Sequence, residues 1–272
     1  MPLVTLNYSF GSDGREIAQS VAQNLGVALY DDDALKTILK GTAQHKSFEY
    51  DFNYQAPGFW ERLMSREPKL FIDFMEAAVY RVAQDGEGVI IGHGSQMLLR
   101  DFSCAFHVRL LSDPESRLSN LVENQGLNRD AAADLIKKYD RSQATFFEYA
   151  FEIDFDTPSL YDLTINTGKM NRKTISRLIL EALDSDDVQA CSFNALSAMK
   201  KMSLERSIQA ALLEEKLDIQ LLNISVDADG KADLSGAAVS QDEKERIIEI
   251  VSTLDGVSEV DAAIFVWKYT SV

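Results

Sequence analysis

The residues with the clearest capacity for chemistry are Ser9-Phe10-Gly11-Ser12-Asp13-Gly14-Arg15-Glu16, between a strand-like run, Leu3–Leu6, and a helix-like run from Ile17 to Leu25. A strand, a glycine-bearing turn and a helix N-terminus in that order make a site for phosphate, because free backbone N–H groups and the helix dipole both favour an anion there. Against the pattern G-x-x-x-x-G-K-[ST], Gly14 fits the second glycine. Ser9, Arg15 and Glu16 stand in place of the first glycine, the lysine and the hydroxyl that holds magnesium. The stretch therefore reads as a working phosphate cradle, a degraded one, or a turn.

Other candidate groups are scattered along the first 150 residues. Arg15, Arg100, Arg109, Arg117 and Arg141 could line a local basic pocket. Asp31-Asp32-Asp33 could touch a metal or a substrate, although a solvated turn capping the next helix is the simpler use of three aspartates. His93-Gly94-Ser95 follows the apolar run Gly88–Gly92, at the end of a strand where open α/β sheets bind ligands. His107 alternates with apolar residues and is expected as a strand-face histidine. Cys104 and Cys191, far apart and without metal spacing, are expected as packed or free thiols.

The chain of 272 residues has a formal net charge of −16. That charge disfavours general affinity for nucleic acid or anionic membranes, which depends on lysine and arginine neutralising phosphates. No apolar run approaches a membrane span, and the N-terminus lacks the pattern of a signal peptide, so a cytoplasmic protein is expected.

These groups need elements to position them. Ile17, Val21 and Leu25 recur at helical spacing before Gly26, and Val27–Tyr30 reads as a second strand, which makes a βαβ opening. Residues 44–68, polar and aromatic with Pro57 and Gly58, read as a mobile or inserted segment over a site. Helical spacing returns over 69–83, followed by a buried strand at 88–92 and another at 105–111. Charged helices are expected over 115–125 and 129–150, then a strand at 161–167 and a closing helix over 175–183. Such alternation predicts a parallel sheet with helices on both faces. Residues 187–203 read as a linker between a domain at 1–186 and a second at 204–272. The second is expected as an αββαβ sandwich, with Asp229-Gly230 turning a hairpin.

Taken together, Ser9–Glu16, Gly92-His93-Gly94-Ser95, Asp140–Phe147 and Tyr161-Asp162-Leu163-Thr164-Ile165-Asn166-Thr167 resemble the cytidylate kinase-like family of P-loop phosphotransferases. Residues 204–267 resemble a BON domain, through Gly230, Leu234-Ser235-Gly236 and Gly256-Val257. The first resemblance implies a donor nucleoside triphosphate such as ATP, with Mg2+, an acceptor pocket and an arginine-bearing lid. In such a site Gly11, Ser12, Asp13, Gly14 and Arg15 would hold donor phosphates, and Glu16 or an aspartate among Asp31–Asp33 would help place magnesium. Arg15, Arg117 and Arg141 would act on the transferring phosphoryl group, while Asp32, His93 and Arg109 would serve the acceptor.

Departures from the family pattern are local. Asp13 stands where relatives have glycine, His93 replaces the arginine of G-R-G, and Gln143 replaces the arginine of D-x-x-R. Each missing arginine contact could cost on the order of 1.5–3 kcal/mol of phosphate binding. Acceptor handling is expected to weaken first. Two functions follow: a phosphotransferase of the nucleoside monophosphate kinase type, or a nucleotide-sensing regulator whose second domain signals to a partner. A purely structural use of the fold is the third. The BON-like region carries six basic residues against fourteen acidic ones, a net of −8, which favours a protein partner or self-association over an anionic lipid surface.

Overall fold

A computed structural model describes residues 2–42, 68–92, 94–189 and 193–267. The segment at 44–67, expected over a site, and His93 lie outside the described residues. The chain forms two compact units, Met1–Ala34 with Gly86–Ala195, and Leu35–Asp85 with Leu196–Val272.

The first unit is built on β1 (Leu3–Tyr8), β2 (Leu29–Tyr30), β3 (Gly88–Ile91), β4 (Ala105–Leu111) and β5 (Leu163–Asn166). They form one parallel sheet in the order β2-β3-β1-β4-β5. Helices α1 (Gly14–Leu25) and α7 (Arg172–Leu183) supply Ile17, Val21, Ile175 and Ile179 to a core shared with Val4, Leu6, Val108 and Leu110. Those strand residues are two apart, so they share one face of the sheet. The residues between them carry the opposite face, and there β1 and β4 are polar. Thr5 is in register with His107, and Asn7 with Arg109. The parallel α/β class is thus observed. β2 is shorter than the strand expected at Val27–Tyr30, because Gly26 ends α1 in a left-handed conformation and the chain pairs with β3 only at Leu29 and Tyr30.

Local sequence fixes the remaining helices. Asp31 Oδ1 accepts from the Ala34 amide, so the aspartate run caps α2 (Asp32–Thr42). Asp113 accepts from the Ser116 amide and Pro114 opens α5 (Pro114–Gln125), while Asn128 caps α6 (Arg129–Phe151) by accepting from Ala131. Short α4 (Ser95–Leu98) follows β3. Cys104 is buried before β4 and is disulfide-bonded, which corrects the expected thiol.

In the second unit, α3 (Pro68–Ala83) joins α9 (Phe193–Glu214), β6 (Leu222–Val226), β7 (Lys231–Ala238), α10 (Gln241–Ser252) and β8 (Glu259–Val266). The sheet runs β6-β7-β8, antiparallel then parallel, and Ile208, Leu212, Leu234, Ile247, Ile250 and Ile264 share its core. The expected αββαβ order is present. After short α8 (Asp186–Gln189), α9 starts eleven residues before the helix read at 204, since Ala195, Ala198 and Met199 favour helix without an amphipathic period. Arg206 of α9 bonds Glu76 of α3 at 2.6 Å. Burial nonetheless raises the Glu76 carboxyl above its usual range, with Arg206 pulling it back. Gly236, at φ +125, is required on β7, where a Cβ would sit 2.0 Å from the Leu221 carbonyl. No helix among the described residues is long and apolar enough to cross a membrane.

His107 gives the fold a pH dependence. Burial lowers its pKa from the usual 6.5, against the raising effect of Asp162, and its Nδ1 lies 2.8 Å from Thr5 Oγ1. The unfolded chain therefore takes up this proton before the folded one does, and stability falls as pH drops below about 6.5. In urea titrations, wild type should lose more stability between pH 7.5 and 5.5 than His107→Gln, whose amide can still bond Thr5. Equal losses would show that His107 is not responsible.

Candidate functional site

The glycine-bearing turn ends β1 and starts α1. The Ser9 amide donates to the Leu110 carbonyl and the Ser12 amide to the Ser9 carbonyl, which closes the turn against β4. Gly11, at φ +87, passes so close to α5 that a Cβ would sit 2.9 Å from the Arg117 carbonyl, and Asn120 Nδ2 donates to the Gly11 carbonyl at 3.1 Å. Phe10 stacks on Tyr139 of α6, ring centroids 4.1 Å apart, and packs against the buried cluster of Leu121, Ala132 and Ile136. The turn is thereby held to the α5–α6 pair as well as to the sheet.

At the N-cap of α1, Asp13 adopts φ 61 and ψ 22 and makes no side-chain cap. Its carboxylate instead accepts from Arg172 Nε at 2.8 Å. Among the described residues, no acceptor meets the amides of Gly14, Arg15 and Glu16, and the Ser12 hydroxyl is fully buried without a hydrogen-bond partner. Orphaned donors of this kind would be satisfied by a polyanion. The charge that Asp13 brings to the turn is offset by Arg172. Arg15 Nη2 bonds Asp31 at 2.5 Å. Glu16 is exposed, as is Asp32.

The polar sheet face leads to a second group. Arg109 is 3% exposed. Its Nη1 donates to Asn7 Oδ1 at 2.7 Å, and its Nη2 donates to Asp156 Oδ1 at 2.7 Å and Ser9 Oγ at 3.3 Å. Phe155 lies with its ring centroid 4.8 Å from the guanidinium carbon. Gln143 Nε2 also donates to Asn7 Oδ1, at 3.1 Å. Arg117 makes a two-pronged bond to Asp140 at 2.8 and 2.9 Å. Arg109 and Arg117 line a cavity of about 480 Å³ with Ser9, Ser112, Asp140, Asp156 and Tyr161. The Tyr161 hydroxyl donates to the Phe155 carbonyl, and burial pushes its pKa up to about 12. Gly94 caps α4 at φ +71, where a Cβ would meet the Phe151 ring at 2.6 Å; α6 thus closes on the end of β3 through its aromatics.

Family comparison fits this arrangement. Residues 3–169 match the model of the cytidylate kinase-like family, and residues 202–266 match that of the BON domain. The chain belongs to the cytidylate kinase-like family. It is 24% identical over 160 residues to a cytidylate kinase of Methanococcus maripaludis, covering 53% of this chain and 90% of that one. It is also 24% identical over 184 residues to a cytidylate kinase of Thermoplasma volcanium, covering 66% of this chain and 90% of the relative. A solved structure of an uncharacterized protein from Eubacterium ventriosum shares the fold at a TM-score of 0.54 and 19% identity, over 67% of this chain and 98% of that one.

The first unit of this cytidylate kinase-like chain thus has a kinase-like nucleotide-binding fold, in which the structure gathers some of the expected residues and separates others. Gly11–Glu16 form one turn, and Arg109 and Arg117 share one cavity. Arg141, one residue past Asp140 on α6, is exposed and does not line that cavity. Asn7 and Asp156 belong to the site without having been singled out in sequence. The signal for Asn7 was present: Thr5 and Asn7 in β1 and His107 and Arg109 in β4 are polar residues two apart in otherwise apolar strands. Among the described residues no group of three or more His, Cys, Asp or Glu gathers as a metal site. A magnesium ion that keeps several waters and takes phosphate oxygens needs only one or two carboxylates from a protein.

Gly14 has a steric task. A Cβ there would lie 2.1 Å from Tyr8 Cγ, and Tyr8 is buried enough to push its pKa up to about 12. Gly14→Ala should therefore displace the Tyr8 ring or the turn and lower stability by about 1–3 kcal/mol in urea unfolding. An alanine variant as stable as wild type would mean that the ring and backbone do not meet as described.

Proposed function

We propose that the N-terminal region binds a nucleoside triphosphate such as ATP, with Mg2+, at Ser9–Glu16, and transfers its terminal phosphoryl group to a nucleoside monophosphate or another small acceptor. The observation that carries this reading is the turn itself. Among the described residues, three amides and the Ser12 hydroxyl are left without partners, while the unfavourable charge of Asp13 is drawn onto Arg172.

In this reading the unpartnered amides of Gly14, Arg15 and Glu16, the Ser12 hydroxyl and the Arg15 guanidinium hold the donor phosphates at the Gly11–Gly14 turn, and Arg15 leaves Asp31 to do so. Magnesium, when bound, screens the phosphate oxygens and orients them, with Glu16 or an aspartate at 31–33 at its edge. Arg117 and Arg109 face the acceptor side from the cavity, with Arg141 as a further cation of the lid and Asp32 and His93 as acceptor contacts. Phosphoryl transfer depends mainly on positioning and on offsetting charge, so these cations set the rate more than any acid or base does. The domain division at 1–186 and 204–272 belongs to the same proposal, the second domain receiving a protein partner.

A second reading is favoured by Gln143. Its neutral amide bonds Asn7 where the family pattern places an arginine, so the transition state has one cation fewer. A chain that binds nucleotide and turns over slowly would act as a sensor.

Titration calorimetry with ATP and CTP in the presence of Mg2+ tests the binding. Arg15→Ala should weaken affinity about tenfold or more, as expected for losing a charge-assisted phosphate contact. Product formation with a panel of nucleoside monophosphates then separates the readings: slow transfer, raised by Gln143→Arg, fits the first, and binding without transfer fits the second. An absence of nucleotide binding by the full chain would refute both.

A further inference from the structure

We infer that Asp140 and Asp156 are specificity determinants that act as internal counter-anions for Arg117 and Arg109, so that the cavity accepts a phosphate-bearing ligand and rejects a carboxylate one; this rests on the proposed phosphotransferase reading. Among the described residues, Arg109 and Arg117 are the only cations lining the cavity, and Asp140 and Asp156 the only anions. The site is therefore electrically neutral. Exposure divides the partners unevenly: the side chains of Arg109 and Arg117 are 4% and 9% exposed, those of Asp156 and Asp140 59% and 40%.

A guanidinium that deeply buried requires a counter-charge at all times, because an unpaired buried cation is strongly destabilising. A half-exposed carboxylate is held weakly, since water competes for it. The fixed members of the pairs are the arginines and the exchangeable members are the aspartates. Capacity for a further acceptor is also present. The Nε atoms of Arg109 and Arg117 and the Ser112 hydroxyl are buried without hydrogen-bond partners among the described residues. The aspartates use only the terminal nitrogens of the two arginines.

Charge then selects the ligand. A monocarboxylate that displaces Asp156 replaces one negative charge by another and gains nothing electrostatically, while losing its freedom of motion. A phosphate group near −2 brings extra charge and three acceptor oxygens, enough to meet the terminal nitrogens and the orphaned donors together. The aspartates thus set a threshold of charge for entry. Asp156 is well placed to move aside: it belongs to the turn after α6, where its own amide is held by Asp154 and its side chain is free of that turn.

The test uses the full chain and two probes, inorganic pyrophosphate and acetate, followed by calorimetry. Wild type should bind pyrophosphate and show no acetate binding at comparable concentration. Asp156→Asn, which keeps the backbone turn, should bind pyrophosphate about three- to tenfold more tightly and begin to take acetate, whereas Asp156→Glu should behave as wild type. Asp140→Asn should shift the same way, with thermal melting used to check that Arg117 has not destabilised the fold. Equal or weaker pyrophosphate binding by Asp156→Asn overturns the inference while leaving a phosphate-binding turn at Ser9–Glu16 intact. Acetate bound by wild type as tightly as pyrophosphate also overturns it. No binding of pyrophosphate by any of the four chains overturns both this inference and the phosphotransferase reading.

Discussion

The burial of Arg109 on an inner strand of a parallel sheet constrains the first unit more than any other single contact. A cation in that position would be intolerable alone, so the surrounding chain supplies acceptors from three directions: Asn7 from the neighbouring strand, Ser9 from the turn and Asp156 from beyond α6. Asn7 also takes Gln143. One guanidinium therefore ties β1, β4 and the turn to the segment after α6, and Asn7 adds α6 itself. The same network fixes where the glycine-bearing turn can lie, because Ser9 is both a partner of Arg109 and the first residue of that turn.

The two faces of the sheet divide the labour that this requires. On one face Val4, Leu6, Val108 and Leu110 pack against α1 and α7, and their burial supplies stability of the kind worth about 1.5–3 kcal/mol per large side chain. On the other, Thr5 with His107 and Asn7 with Arg109 give up apolar burial for hydrogen bonds. Polar pairs in a buried sheet are close to neutral in energy at best. Their presence at matched register on adjacent strands marks a face shaped for a task other than packing.

The fold was legible in the sequence because its signals are local. Four-residue apolar runs bounded by glycine, helical spacing after Gly14 and caps such as Asp113-Pro114 each specify an element from its own residues. Signals without a period were lost. α9 begins at Phe193 in a stretch of small and polar residues that gives no amphipathic pattern, and the disulfide of Cys104 left no mark in spacing. For the site, residue types were legible and partners were not. Arg109 and Arg117 stood out as cations in a very acidic chain, yet Asp156 and Asp140 are 47 and 23 residues away from them and look in sequence like any surface acid.

The same asymmetry bears on Asp13. In sequence it is an anion in the place of a glycine, an apparent defect in a cradle for phosphate. In the folded chain its left-handed backbone keeps the N–H groups of the next turn facing outward, a conformation aspartate tolerates better than most residues with a side chain. Its carboxylate meanwhile meets Arg172, from the opening turn of α7, 159 residues on. The pair is partly exposed, so its contribution to stability is small, and its effect is electrostatic: it removes a repulsive charge from the one place where repulsion would matter. Arg172 is thus as much a part of the turn as Asp13 is, and the pairing accounts for how an acidic residue can occupy this position.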